Sequence, residues 1–174
     1  MLIFLIGFMG AGKTTLGQQL AAEEGFRFMD LDDCIVERAG RSIPEIFDIE
    51  GERAFRAYES LSLHSLTDLP KAKYLIACGG GTPCFGDNMA WMNAHGLTVY
   101  LRPGIAELTR RLLQQQAQRP LIKDVAKEEL ETFVRNMLSK REPYYLQAHI
   151  RLEGVQASAS QLRRLIKEEK HGVD

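Results

Sequence analysis

A basic excess is missing from this chain: 22 Lys and Arg against 23 Asp and Glu give a formal net charge of −1 over 174 residues. Without that excess there is no broad field to attract a phosphate backbone, so nucleic acid is not an expected partner. Cysteine is scarce, and the three present, Cys34, Cys78 and Cys84, are odd in number and in no metal-ligand spacing. That excludes a disulfide scaffold and leaves reduced thiols in a cytoplasmic protein as the expectation. No apolar run approaches the roughly 18 residues needed to cross a bilayer, so no membrane association is expected. The apolar start, Met1-Leu2-Ile3-Phe4-Leu5-Ile6, lacks a positive flank and is cut off at once by glycine. A buried strand is expected there, not a signal peptide.

What the chain does have is an ordinary soluble composition, 45% apolar and 26% charged. Its length suits one domain over residues 1–174, enough to bury about 70% of the unfolded surface. Short apolar runs alternate with longer amphipathic stretches, which predicts an α/β fold of three layers: five parallel strands with helices on both faces. The strands are expected at 2–6, 26–30, 74–78, 98–101 and 149–152, each dense in apolar residues as for strands covered on both sides. Helices are expected at 13–24, 32–39, 43–51, 52–66, 87–95, 105–116, 126–146 and 158–170. Ser42-Ile43-Pro44-Glu45 reads as a capping box with proline in the first turn, and Ser158-Ala159-Ser160-Gln161 as a weaker one. No exposed apolar stripe asks for a partner, so a monomer is expected.

The strongest motif follows the first strand directly: Gly7-Phe8-Met9-Gly10-Ala11-Gly12-Lys13-Thr14. It fits G-x-x-x-x-G-K-[ST], placed between a strand and a helix as its mechanism requires. The glycines let successive backbone N–H groups converge on one oxyanion, and the helix adds its N-terminal donors. Gly10, Ala11, Gly12, Lys13, Thr14 and Thr15 are therefore the expected ATP-binding residues. Lys13 would reach the β- and γ-phosphates, and Thr14 would ligate Mg²⁺. This loop specifies a nucleotide and a metal but no acceptor.

Three further groups fall where strands end. Asp30-Leu31-Asp32-Asp33 closes the second strand, at the edge where open α/β sheets bind ligands. An extended backbone would send Asp30 and Asp32 the same way; the alternative is that Asp32 or Asp33 caps the next helix. Gly79-Gly80-Gly81 closes the third strand, where missing side chains would let a small molecule lie on the backbone. Arg56, Arg119 and Arg141 complete the candidates. Arg56 lies on a helical segment, Arg119 in a polar stretch between helices and Arg141 near the end of the long helix.

With these residues in this order the chain resembles the shikimate kinases, small P-loop enzymes with a nucleoside-monophosphate-kinase type of fold. The resemblance runs from residue 2 to about residue 145. It rests on the phosphate loop, Asp30-Leu31-Asp32, Ser42-Ile43-Pro44-Glu45-Ile46-Phe47, Gly51-Glu52-Arg53-Ala54-Phe55-Arg56, the triple glycine, Arg119-Pro120-Leu121 and Lys140-Arg141-Glu142-Pro143-Tyr144-Tyr145. It implies transfer of the ATP γ-phosphoryl to the 3-hydroxyl of shikimate, a step toward chorismate and the aromatic amino acids. It implies Asp32 as proton acceptor and holder of the substrate hydroxyls. Asp30 would support the Mg²⁺ site, and Arg56 and Arg141 would grip the shikimate carboxylate. Gly79, Gly80 and Gly81 would line the substrate, Phe47 and Phe55 would form an apolar wall, and Glu59 would stand behind them. Arg119 would swing onto the phosphates as part of a mobile lid at about 112–124, opposite a substrate-binding segment at about 32–61.

Two positions depart from the family pattern. Cys78 stands before the triple glycine where a small hydroxyl residue is expected in many relatives. Arg151-Leu152-Glu153-Gly154-Val155 lacks the acid pattern of the adenine end, and either Arg110 or Arg111 could stack on adenine. The competing readings are another small P-loop kinase, such as a gluconate kinase, and a nucleotide-binding regulatory module without transfer activity.

Overall fold

The computed structural model describes residues 1–118, 121–154 and 158–171. Five parallel strands form one sheet: β1 (Leu2–Ile6), β2 (Arg27–Asp30), β3 (Tyr74–Ala77), β4 (Leu97–Arg102) and β5 (Ile150–Glu153), in the order β2-β3-β1-β4-β5. Between them lie α1 (Lys13–Glu24), α2 (Leu31–Ala39), α3 (Ile43–Ile49), α4 (Gly51–His64), α5 (Asn88–His95), α6 (Ile105–Gln114) and α7 (Leu130–Tyr145), with α8 (Ala159–His171) last. In β1, Ile3, Phe4, Leu5 and Ile6 are all fully buried. Successive strand side chains point to opposite faces, so both faces of the central strand are covered.

The covers are identifiable. Phe4 meets Trp91 of α5 edge-on, with ring centroids 6.1 Å apart. Leu5, on the opposite face, meets α1 at Gly17, where a Cβ would lie 2.6 Å from Phe28 Cε2 and 3.1 Å from Leu5 and Leu75. Only a glycine lets α1 pack this closely on the sheet. The three-layer expectation is therefore met.

Two strands are less buried than expected. β2 runs from exposed Arg27 to half-buried Asp30, and β5 alternates buried and exposed. Both are edge strands with one side open to solvent. The helix ends shift by a few residues. Gly51 opens α4 instead of closing α3, and residues 65–68, 116–118 and 127–129 are single 3₁₀ turns flanking shorter α-helices. The capping box on α3 is present in both directions: Ser42 Oγ accepts from Glu45 N, and a Glu45 carboxylate oxygen accepts from Ser42 N at 2.8 Å. At α8 Ser158 supplies the serine half, its Oγ accepting from Gln161 N at 3.2 Å.

The strand register positions the site. Leu5 and Asp30 both lie beside Ala77. The chain continues from these three neighbours into Ile6-Gly7, Leu31-Asp32 and Cys78-Gly79-Gly80. Three motifs separated by up to 70 residues of sequence thus leave one edge of the sheet side by side.

Candidate active site

The loop after β1 turns through positive φ at Gly10 (79°) and Gly12 (93°), and Gly12 caps α1. Residues with a Cβ rarely adopt these angles. Lys13 Nζ donates to the carbonyls of Gly7 and Phe8, each at 2.9 Å, which folds the lysine back over its own loop. Thr14 and Thr15 stand exposed on the first turn of α1. The loop forms one wall of a cavity of about 560 Å³. Asp30, Asp32, Gly79, Gly80 and Arg111 line it as well.

Asp30 and Asp32 do not project together from an extended strand. The strand stops at Asp30, which caps α2: its Oδ1 accepts from Asp32 N at 3.1 Å. The capping role expected for Asp32 or Asp33 thus belongs to Asp30, and Asp32 rides on the first turn of the helix. The Asp30 Oδ2 accepts from Thr14 Oγ1 at 3.1 Å, joining the second strand to the phosphate loop.

None of Gly79, Gly80 and Gly81 has a positive φ, so these glycines are not required by backbone conformation. They are crowded by what lies against them. A Cβ on Gly79 would sit 3.1 Å from Thr82 Oγ1 and 3.4 Å from Asp32 Oδ1 and Glu59 Oε1. On Gly80 it would sit 3.2 Å from Arg141 Nη1 and 3.3 Å from the Met9 backbone N. On Gly81 it would sit 2.9 and 3.0 Å from the two Nη atoms of Arg56. The expected bare surface for a small molecule is thus also the seat of the site's own side chains, one or more to each glycine.

Glu59 ties this group together. It is 1% exposed; one oxygen accepts from Arg56 Nη1 at 2.8 Å and the other from Thr82 Oγ1 at 2.6 Å. Phe47 and Phe55 pack with tilted rings 4.7 Å apart, and the Arg56 guanidinium carbon lies 4.9 Å from the Phe55 centroid. Arg141 extends from the C-terminal half of α7 with its guanidinium 5.7 Å from the centroid of the Phe8 ring. Cys78 is buried with its sulfur 3.8 Å from Met92 Sδ, and burial pushes its thiol pKa up. Arg119 lies outside the described residues, as does Val155. Of the expected lid, Leu112 and Ile122 are fully buried, and Gln116 Nε2 donates to the carbonyls of Ile122 and Val125.

Three participants were given no role from sequence. Thr82 follows the triple glycine directly, and that adjacency was the available signal. The Tyr145 hydroxyl donates to the Gly80 carbonyl, and Phe85 lies 3.7 Å from the Arg56 guanidinium; neither leaves a trace in local pattern. Arg111 separates from Arg110 by helix face. Arg111 Nη1 donates to Gly10 and Ala11 carbonyls at 3.2 and 3.3 Å, whereas Arg110 pairs with Glu107 on the surface.

Burial, with Asp30 and Glu59 close by, pushes the Asp32 carboxyl up to about 6, with Lys13 opposing. A negative cluster is thus left to be relieved by a ligand. The donor set fits the Mg²⁺ that the resemblance implies. Thr14 and Asp30 offer hard oxygens, and this ion takes one or two carboxylates with waters and phosphates instead of an all-protein cage. Among the described residues no cluster of three or more His, Cys, Asp or Glu forms such a cage.

The shikimate kinase family model matches residues 9–169. The chain is 45% identical to the shikimate kinase of Parabacteroides distasonis over 148 residues, covering 85% of this chain and 84% of that one. Among solved structures, shikimate kinase from Bacteroides thetaiotaomicron superposes with a TM-score of 0.89 at 38% identity, over 95% of this chain and 98% of that one. Shikimate kinase from Acinetobacter baumannii, solved in complex with shikimate, gives 0.83 at 34% identity, over 99% and 94%.

The crowding at Asp32 has a measurable cost. The folded carboxyl keeps its proton to about pH 6, the unfolded one only to about 3.8. The ligand-free protein therefore loses stability as pH rises through that window. Asp32→Asn should stabilise it at pH 7.5 by up to about 3 kcal/mol, at roughly 1.4 kcal/mol per unit. In urea titrations the gain should shrink toward pH 4.5; a gain independent of pH would show that Asp32 is not strained by its charge.

Proposed function

The chain belongs to the shikimate kinase family and is an ATP-dependent kinase; we propose that it phosphorylates the 3-hydroxyl of shikimate, with Asp32, Arg56 and Arg141 holding the acceptor. The observation that carries this reading is the convergence of those three side chains on Gly79–Gly81, beside the phosphate loop. An acceptor lying there has a carboxylate base near one end and two guanidinium groups near the other. Those two guanidinium groups suit a carboxylate, which each can meet with paired hydrogen bonds.

In this reading Asp32 accepts the hydroxyl proton as the substrate oxygen attacks the γ-phosphorus and the bond to ADP breaks. A carboxyl with a pKa of about 6 is ionised at neutral pH yet more basic than an ordinary one, as a general base requires. Lys13 leaves the loop carbonyls for the β- and γ-phosphates, where the charge of the transition state accumulates. Arg111 and Pro103, which also line the cavity, border the nucleotide. Mg²⁺ held by Thr14, with Asp30 behind it, would neutralise phosphate charge. Arg119, between the buried anchors Leu112 and Ile122, closes over the phosphoryl group and excludes water as part of a lid. Use of ATP and three unpaired thiols support a cytoplasmic protein, and we take it as a single domain over 1–174 that acts as a monomer.

A coupled ADP-release assay over a panel of hydroxy acids tests the reading. Turnover is expected with shikimate and not with gluconate, and Asp32→Asn should lower kcat by about 10²–10⁴-fold while ATP affinity persists. Turnover with gluconate would move the chain to the other kinase class, and none with any acceptor would favour a binding module. Gly81 offers an independent check, because its backbone angles (φ −93°, ψ −21°) suit alanine and the three atoms nearest the added methyl all belong to the Arg56 guanidinium. Gly81→Ala should raise the KM for shikimate by about tenfold or more, near 1.4 kcal/mol, with the KM for ATP unmoved; an unchanged shikimate KM would remove Arg56 from the acceptor site.

A further inference from the structure

Phe85 has no place in the reading above, yet it makes a close contact with a residue central to it. The Arg56 guanidinium carbon lies 3.7 Å from the centroid of the Phe85 ring, against 4.9 Å for Phe55. At 3.7 Å the planar cation rests on the ring face in van der Waals contact, where the ring quadrupole attracts it. Gly81 faces the same guanidinium with no side chain of its own. Carboxylates take part of the edge: Glu59 accepts from Nη1, and Glu52 accepts more weakly from Nε and Nη2 at 3.4 and 3.3 Å. Three of the five N–H donors of an arginine are thereby engaged.

Phe85 is itself held in place. It follows the 3₁₀ turn Thr82–Cys84, in which Cys84 N donates to the Gly81 carbonyl at 2.8 Å. Buried Asn88 donates to the Thr82 carbonyl at 3.0 Å. The Thr82 hydroxyl is bound to Glu59, the same carboxylate that holds Arg56. The ring and the guanidinium are thus fixed to one another through a common buried acid. An arginine held only by carboxylates of its own helix would remain free to tilt about its last bonds; a ring on one face confines it to a plane.

We infer that Phe85 is a positioning residue for the acceptor carboxylate: its ring sets the plane in which Arg56 presents its remaining N–H donors. The inference rests on the reading that Arg56 binds that carboxylate. It predicts a selective effect, because Phe85 is 36% exposed and its loss leaves the core intact. Phe85→Leu and Phe85→Met should each raise the KM for shikimate about three- to thirtyfold, the span of a cation–π contact. The KM for ATP should not move, and kcat should stay within about twofold. Phe85→Tyr, which keeps the ring, should restore the KM.

In an Arg56→Gln background, Phe85→Leu should have no further effect on the shikimate KM. An equal effect with and without the arginine would overturn the inference, as would a fall in kcat with KM unmoved or a failure of Phe85→Tyr to rescue. If Arg56→Gln alone leaves the shikimate KM unchanged, the reading of Arg56 has failed, and the inference falls with it. If Arg56→Gln raises that KM and the Phe85 variants do not, the reading stands and the inference alone is wrong.

Discussion

Close approach to a side-chain-free stretch of backbone is the constraint on which this site depends. Gly79, Gly80 and Gly81 leave the end of β3 in ordinary conformations; Arg56 and Arg141 crowd the places a side chain on Gly81 and Gly80 would take, and Asp32 lies in contact distance of Gly79. These three residues come from α2, α7 and α4, elements that share no short-range sequence relation. A methyl group at Gly81 would meet a guanidinium at 2.9 Å. The glycine run therefore acts as a gauge for how deeply the two guanidinium groups enter beside the Asp32 carboxyl. Because Gly80 also lies against the backbone of Met9, the same gauge fixes the distance to the phosphate loop.

The charges arranged on this frame are balanced unevenly. Asp30 is satisfied at both oxygens, by Asp32 N and Thr14 Oγ1, and Glu59 by Arg56 and Thr82. Asp32 is buried among neighbouring acids, which raise its pKa more than the charge of Lys13 lowers it. Such an arrangement is costly in the free protein and useful in the loaded one. Functional sites commonly hold groups whose perturbed pKa values reflect this trade. The stability that Asp32 withholds from the folded state is the same electrostatic tension that would make it a better proton acceptor in the proposed reaction.

The sequence disclosed this site unevenly, for physical reasons. The phosphate loop is contiguous, and its glycines, lysine and threonine stand in a fixed local spacing, so reading it required no tertiary knowledge. The central strands were visible because burial on both faces leaves an unbroken apolar run; the edges β2 and β5 were overestimated because one side of each is open. Asp30 and Asp32 were identified as functional but misplaced, since the turn from strand to helix came between them. Arg56 and Arg141 were candidates from sequence but took a role only through family resemblance, because a lone arginine on a helix carries no pattern. Thr82, Phe85 and Tyr145 escaped notice because their roles consist of contacts across the fold. Arg110 and Arg111 differ by about 100° of helix rotation, so Arg111 reaches the loop carbonyls while Arg110 points to the surface.

The most direct measurement is a crystal structure with shikimate and a non-hydrolysable ATP analogue bound together. The account requires the shikimate carboxylate between the guanidinium groups of Arg56 and Arg141, with the ring lying along Gly79–Gly81. Its 3-hydroxyl should be within hydrogen-bond reach of Asp32, facing the terminal phosphate. A carboxylate bound elsewhere, or a 3-hydroxyl turned away from Asp32, would contradict it.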